Sequence, residues 1–373
     1  MFIPHPAIPP FSRACARIVP TALFTAALSF SASAHDITDN FSVGATITGV
    51  LQHGEFSDAS IKDQSQGTVV TDINVNFQPT DQDEFDLVVS FASGNGLNTV
   101  SLYSAHPPYA DDLEDDLENI NGRKRDYLLT AWYKHTFALS EDTSLGLTGG
   151  IIDATGYVDD NEYANDGVGQ FMNQAFVNNT LMVPPAFDTG IAGELDISDR
   201  WSLRGVWMST KNDVKRTYNY LAGQLGFHTE SGNYRLVAQG TSSDFASPTG
   251  KKEGLFSIGL SLDQQINDTV GAFARFGWQD NDATVSHDAL YSAGLNLNGK
   301  LWGRAGDEIG LGYAHLSGGN DVIEETDVME SYIKFQLSEY VDLSLDVQYP
   351  NEQKTGTADS KGFIYGARIN AYF

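Results

Sequence analysis

Charged residues recur in this chain at alternate positions within short segments that are otherwise rich in apolar residues. The basic ones are Lys134, Arg204, Arg235, Arg275, Lys334 and Arg368, and the acidic ones are Asp72, Asp86, Glu194, Asp196, Glu308, Glu330, Asp342 and Asp346. Side chains two residues apart lie on the same face of a β-strand, so these groups are predicted to share one wet face. A lining that selects anions or phosphate consists mainly of Lys and Arg. The mixed set instead suits a polar, largely uncharged solute or a weak preference for cations.

Catalytic chemistry finds little support in the sequence. The chain has no Gly-x-Ser-x-Gly elbow and no closely spaced histidine pair of the kind that binds zinc, so we predict no catalytic residue, no metal and no cofactor. Five histidines, His53, His106, His228, His287 and His315, are scattered one per element. A hydrolase whose Ser and His are brought together only by the fold remains a less favoured alternative.

Sixteen segments alternate apolar and polar residues with the period of a β-strand. They cover residues 41–47, 69–77, 85–91, 129–137, 145–151, 187–195, 201–207, 221–227, 234–238, 256–262, 270–278, 291–297, 309–313, 329–337, 341–347 and 363–373. Their apolar members, Leu129 and Phe187 among them, are predicted to share the opposite face. Long helix-period segments are hard to find, so the chain is predicted to be all-β.

The connections decide between a soluble β-sandwich and a barrel. Links after the even-numbered segments are short, whereas those after the odd-numbered ones are mostly longer and polar. This alternation is typical of a transmembrane antiparallel β-barrel with short periplasmic turns and long extracellular loops, here with 16 strands. The interior of such a barrel is too wide for its side chains to fill. The two longest links, 92–126 and 153–186, are therefore expected to fold inward.

The two ends of the chain predict where in the cell the protein is located, and the net charge limits its partners. Residues 1–34 have two arginines, an apolar run and Ala32-Ser33-Ala34, which predicts a signal peptide that contains the single Cys15. Residues 35–373 are predicted to form one barrel domain in the outer membrane, in contact with its lipid and lipopolysaccharide. The final strand ends in Phe373, which resembles the signal that the barrel-assembly machinery reads. A formal charge of −27 argues against a nucleic-acid partner.

Two further features concern the surface. Aromatic residues near strand ends are predicted to form the girdles at the membrane interfaces: Tyr133, Trp201, Trp278, Tyr349 and Tyr372. The link 92–126 contains the acidic run 111–116 and then Arg123-Lys124-Arg125. Either block could face the pore or bind a divalent ion, although a solvated loop is the simpler interpretation because the spacing matches no EF-hand.

Particular strings resemble the carbohydrate-selective porins of the OprB type. Residues 151–155 (IIDAT), 161–166 (NEYAND) and 170–176 (QFMNQAF) look like the segment that follows the fifth strand in that family. Residues 330–337 (ESYIKFQL) and 343–349 (LSLDVQY) are similar to its penultimate hairpin. The resemblance implies a sixteen-stranded porin that passes monosaccharides and related small polar solutes, with inward loops and with charged and aromatic residues at the constriction.

Sugar passage needs flat apolar faces for the ring carbons and flanking donors and acceptors for the hydroxyls, all binding weakly enough to release the solute. The candidates for stacking are Trp132, Phe171, Phe176 and Tyr332, and those for the hydroxyls are Lys134, Asp153, Asn173, Arg204, Glu330 and Arg368. A general or weakly cation-selective porin is the alternative. The sequence is compatible with a monomer or a trimer.

Overall fold

The computed structural model describes residues 35–57, 62–99, 103–105, 107, 112–179, 181, 184–212 and 214–373, so the predicted signal peptide and Cys15 lie outside the described residues. The described chain forms a closed barrel of 16 antiparallel strands. These are β1 (Phe41–Phe56), β2 (Gln64–Phe77), β3 (Asp83–Ser93), β4 (Leu128–Ala138), β5 (Thr143–Ile152), β6 (Asp188–Ile197), β7 (Trp201–Lys211), β8 (Thr217–His228), β9 (Gly232–Thr241), β10 (Phe256–Asn267), β11 (Val270–Gln279), β12 (His287–Asn298), β13 (Glu308–Gly318), β14 (Ile323–Gln336), β15 (Val341–Lys354) and β16 (Ser360–Tyr372).

Each strand pairs with the next one along the chain, and β16 closes the barrel against β1. In that closing pair Ala371 lies opposite Ile47. Beyond it, the backbone amide of Phe373 donates to the carbonyl of Ala45 at 2.9 Å. Closure leaves no strand edge unpaired, which a sheet in hydrocarbon requires. The predicted all-β barrel and its strand count are confirmed.

The remaining elements are short. Strand His35–Thr38 pairs with the start of β1, and strands Phe245–Ala246 and Lys252–Glu253 pair with each other. One α-helix covers Glu114–Leu117, and 3-10 turns cover Gly96–Thr99, Ile120–Gly122, Ala154–Gly156 and Gly299–Trp302. Within the described parts of the chain, no helix has the length and apolar character needed to cross a bilayer.

The two ends of the barrel differ in their connections. At the end that holds the first described residue, His35, and the last one, Phe373, the links are 78–82, 139–142, 198–200, 229–231, 268–269, 299–307 and 337–340. The link 299–307 is longer than expected because it contains the 3-10 turn Gly299–Trp302. At the other end lie the two longest links, 94–127 and 153–187, although 212–216, 319–322 and 355–359 are also short there.

The outer face of the barrel is apolar and has bands of aromatic side chains. Near the short-turn end, the ring of Phe85 lies 4.7 Å from that of Tyr133, and Trp201 lies 4.8 Å from Phe227. Tyr372 was predicted to join such a girdle, but it faces inward and its hydroxyl donates to Asp342 at 2.7 Å. The reason is strand parity, since Tyr372 stands between two outward residues of the last strand.

Two other apolar residues also lie on the inner side, contrary to prediction. Leu129 and Phe187 are buried in one cluster with Leu117 and Ile120 of the link 94–127. The register of β3 against β4 shifts beside Leu129, which changes the face that this residue presents. Phe187 precedes β6 and has a positive φ of 56°, so it does not follow the alternation of the strand.

Candidate functional site

The link 153–187, here called the inner loop, lies inside the barrel and packs against opposite parts of its wall. Its start packs against β7 and β8, where Val158 joins a buried cluster with Met208 and Tyr220. Its middle packs against β11 and neighbouring strands, where Phe176 joins a cluster with Phe273. Met172 packs against Val50 of β1, on the wall opposite β8. The inner loop therefore crosses the lumen, which agrees with the predicted inward folding of this link.

Two fully buried arginines hold the backbone of the inner loop to the wall. Arg275 of β11 donates to the carbonyl oxygens of Asp159 at 3.0 Å and of Phe176 at 3.1 Å. Arg368 of β16 donates to the carbonyl oxygens of Gly167 at 2.7 Å and Gln170 at 2.8 Å. Both side chains are 0% exposed. Arg368 was predicted to bind solute hydroxyls, but in this structure its two terminal nitrogens donate to the loop backbone.

Glu330 and Asn173 form a second attachment. The carboxylate of Glu330 accepts from the backbone amides of Met172 and Asn173, the latter at 3.0 Å. The side-chain amide of Asn173 donates to Gln348 at 3.0 Å, and its oxygen accepts from the backbone of Ala175. Both residues are buried. Their observed contacts fix the loop backbone, which differs from the predicted role of binding a solute.

The aromatic residues of the inner loop are covered. Phe171 lies 4.7 Å from Phe176 and 5.1 Å from Tyr332, edge to face in the second case. All three are at most 1% exposed, and the hydroxyl of Tyr332 donates to Glu308. Gly312 permits this packing, since a Cβ there would lie 2.7 Å from the Phe176 ring. The three predicted stacking residues thus have no ring face free for a solute.

Asp153 begins the inner loop and caps a short turn. Its side chain accepts from the backbone amide and the hydroxyl of Thr155, both at 2.8 Å. This is the N-cap of the 3-10 turn Ala154–Gly156, and the carboxylate is 7% exposed. The contacts thus give Asp153 a positioning role at the point where the chain turns into the lumen.

Lys134, Glu194, Arg204 and Asp196 form a charge ladder on the lumen face of β4, β6 and β7. Lys134 Nζ lies 2.6 Å from Glu194 Oε2, and Arg204 lies 3.8 Å from Glu194 and 2.6 Å from Asp196. The side chains of Lys134, Glu194 and Arg204 are 18%, 17% and 19% exposed. Unlike Arg275 and Arg368, these three side chains are partly exposed in the lumen.

Trp132 and Tyr157 lie beside the charge ladder. Trp132 precedes Lys134 on the same face of β4, and both aromatic residues pack against the buried cluster of β7 and β8 while remaining partly exposed. Burial, followed by the charges of Glu194 and Asp153, raises the pKa of Tyr157. Its hydroxyl therefore stays neutral and can donate or accept a hydrogen bond.

A cavity of about 810 Å³ lies between the inner loop and the short-turn end. Its carboxylates are Glu162, Asp166, Glu230, Asp263, Asp268, Asp307, Glu308, Glu339 and Asp342, and its only basic residues are Lys300 and Lys334. The sequence had not singled out the turn residues of this set, because charged turns are common on any surface. In the described parts of the chain, no group of three or more His, Cys, Asp or Glu is arranged to hold a metal ion.

The link 94–127 also enters the barrel. The carbonyl of Pro107 accepts from the amides of Gln52 and Gln348, each at 2.9 Å. The hydroxyl of Ser104 lies 3.2 Å from His287 Nε2, a distance that a catalytic Ser/His pair would also have. However, the backbone amide and the hydroxyl of Ser104 both donate to Glu352. This arrangement tethers the link to β15 and gives the serine no geometry typical of a nucleophile.

Comparison with known proteins agrees with this architecture. The model of the carbohydrate-selective porin, OprB family, matches residues 205–370. An uncharacterized protein of Aquifex aeolicus (strain VF5) is 32% identical over 291 residues, which are 77% of this chain and 83% of that protein.

Solved structures share the fold at low sequence identity. The high-pH structure of Pseudomonas putida OprB superposes with a TM-score of 0.71 at 14% identity, over 90% of this chain and 94% of that one. The outer membrane channel DcaP of Acinetobacter baumannii gives 0.56 at 10%, over 89% and 97%. Fold and family together indicate a channel of the outer membrane and not an enzyme. The chain therefore belongs to the carbohydrate-selective porin family, the OprB family.

Proposed function

We propose that this porin passes carbohydrates and similar small polar solutes by passive diffusion along the charge ladder. The observation that carries this proposal is the contrast in exposure inside the barrel. The clamping residues Arg275 and Arg368 are fully covered by the inner loop, whereas Lys134, Glu194 and Arg204 keep almost a fifth of each side chain exposed. One open part of the lumen is therefore inferred along β4 to β7, in addition to the cavity at the short-turn end.

The chemistry of this open part suits a neutral polyol. Two basic and two acidic side chains compensate each other, so the ladder offers donors and acceptors without a large net charge. Trp132 and Tyr157 lie beside it and supply partly exposed ring faces for sugar carbons. Each contact is weak and partly wet, which allows a solute to leave as easily as it enters.

A weakly cation-preferring general porin is the second candidate. The cavity at the short-turn end favours it, because that cavity has nine carboxylates and two lysines among its lining residues. A negative potential of this kind raises the local concentration of cations. The two functions are compatible, since a neutral sugar feels little of that potential.

Single-channel recording tests the proposed path. Adding glucose should reduce the potassium current reversibly in the unmodified porin, and Trp132→Ala or Arg204→Gln should weaken that effect at least about twofold. Lys251→Gln, an exposed charge in the link 242–255, serves as the control and should leave the effect unchanged. Equal glucose effects in all four proteins would exclude the charge ladder as the path.

The cellular context is part of the same proposal. Removal of residues 1–34 as a signal peptide would leave the single barrel domain 35–373, with Phe373 as the signal for the barrel-assembly machinery. Support comes from Phe373 itself, which is 59% exposed at the end of the outward-facing row of β16. N-terminal sequencing of the outer-membrane protein should begin at His35, and deletion of Phe373 should lower the amount of inserted barrel.

A further inference from the structure

A concentrated basic surface lies at the rim of the long-link end, although the whole chain has a net charge of −27. This rim patch consists of Arg123, Lys124, Lys211, Lys215 and Arg216. The link 94–127 and the β7–β8 turn are brought together there. Lys211 Nζ donates to the carbonyl of Gly122 at 3.0 Å, and Arg123 donates to the carbonyl of Ser209 at 2.9 Å.

Gly122 makes the close approach of the two segments possible. It has a φ of +64°, and a Cβ there would lie 3.1 Å from the Lys215 side chain. The ammonium groups of Lys211 and Lys215 therefore both lie near this glycine. Like charges brought so close repel each other, so the arrangement favours an anion that neutralises them.

Most charges of the rim patch have no acidic partner. Arg123 pairs with Asp188 at 3.0 Å. Among the described residues, Lys124, Lys211, Lys215 and Arg216 make no ion pair with a carboxylate. Lys124, Lys215 and Arg216 are also exposed, so their donors are open to solvent at the rim.

The height of the rim patch relative to the membrane follows from β7. Trp207 and Lys211 are on the same strand face, and four residues at about 3.3 Å each separate them by roughly 13 Å along the strand. Trp207, Leu221 and Ile191 belong to the exposed apolar band and are 38%, 64% and 59% exposed. The rim patch thus lies just beyond this band, at the level where lipid headgroups begin.

We infer that the rim patch binds the phosphate groups of a phosphorylated glycolipid in the outer leaflet. Arginine and lysine are the side chains that bind phosphate oxygens best, and several of them near a membrane surface act together. A lipid headgroup is favoured over a free anion because the basic surface lies just beyond the lipid-facing band. The inference rests on placement in the outer membrane and is independent of which solute crosses the pore.

Binding of bis-phosphorylated lipid A to the folded porin in detergent, followed by native mass spectrometry, tests the inference. The variant K124Q/K215Q/R216Q should bind it about 10- to 100-fold more weakly than the unmodified porin. The variant K251Q/K252Q/K361Q removes the same charge from scattered exposed sites and should bind within about twofold of it. Dephosphorylated lipid A should bind weakly and equally to all three.

Three outcomes would overturn the inference. Unchanged binding of lipid A by the rim variant would exclude the patch. An equal loss of lipid A binding in the control variant would show that binding depends only on net charge. Competition by inorganic pyrophosphate at the concentration of lipid A would identify a site for free anions in place of a lipid. Because sugar uptake is not measured, failure here leaves the proposed carbohydrate path untouched.

Discussion

Lys134 and Glu194 stand on strands that are not neighbours, yet their charged groups meet at 2.6 Å across β5. The crossing point on β5 is Gly146, which lies opposite Glu194 in the sheet. A Cβ there would lie 2.7 Å from the Lys134 side chain. The ion pair can therefore form because β5, the strand between the two residues, has no side chain at this position.

Neutralising either member of this pair should change ion selectivity in opposite directions. Lys134→Gln leaves the charge ladder with two carboxylates and one cation, and should shift the reversal potential in a KCl gradient toward cation preference. Glu194→Gln should shift it toward anions for the converse reason. Lys251→Gln outside the lumen should leave it unchanged, and shifts of the same sign in both lumen variants would contradict a shared path.

A larger residue at Gly312 should displace the inner loop. Gly312→Val places methyl groups against Phe176 and Phe171, which are close-packed there and cannot give way without moving the loop. We expect a higher single-channel conductance from a barrel that remains folded on a gel. Gly205→Val is the matched control, because a Cβ at that outward glycine meets no atom within 4 Å. Unaltered conductance in Gly312→Val would show that the loop does not limit flow.

Removal of a clamping arginine should widen the pore. Arg275→Met leaves the carbonyls of Asp159 and Phe176 without their charged donor, and each such bond contributes about 1.5–3 kcal/mol. Oligosaccharides that the unmodified porin excludes should then enter liposomes. Arg200→Met, at an exposed turn, removes the same charge and should not change the size limit. An identical size limit in both variants would exclude the proposed clamping role of Arg275.

The cavity at the short-turn end should become more cation-preferring as the pH rises through neutrality. Desolvation by the surrounding barrel, together with the charges of Asp263 and Asp160, raises the pKa of Glu162 to about 7. A raised pKa means that this carboxyl is protonated below neutral pH and charged above it. Cation preference measured in bilayers should therefore increase between pH of about 6 and about 8. In Glu162→Gln the same titration should be flat, and a full response there would assign it to another group.

Alternation within the segments predicted the strands, because every strand has the same two environments along its length, and the alternating lengths of the connections then predicted the barrel. It also placed the predicted charged residues on the inner face, from Lys134 on β4 to Arg368 on β16. Where alternation fails, as at Leu129, the cause is a local register shift that no period can reveal.

The same pattern could not predict whether an inward side chain is exposed to the lumen or covered by a loop. Arg204 and Arg368 have equivalent positions on inward faces, yet one is partly open and the other is covered by loop carbonyls. The difference depends on where the inner loop lies, which is a matter of contacts between distant residues. Phe171 and Tyr332 illustrate this, since their aromatic character fits a sugar platform and a packed loop equally well.

Liposome swelling with a series of neutral sugars tests the central claim most directly. Liposomes that contain the purified porin should swell fastest with pentoses and hexoses and progressively more slowly as the sugar becomes larger, without saturation at low concentration. A porin that conducts potassium in bilayers but admits no glucose into these liposomes would contradict passive carbohydrate passage.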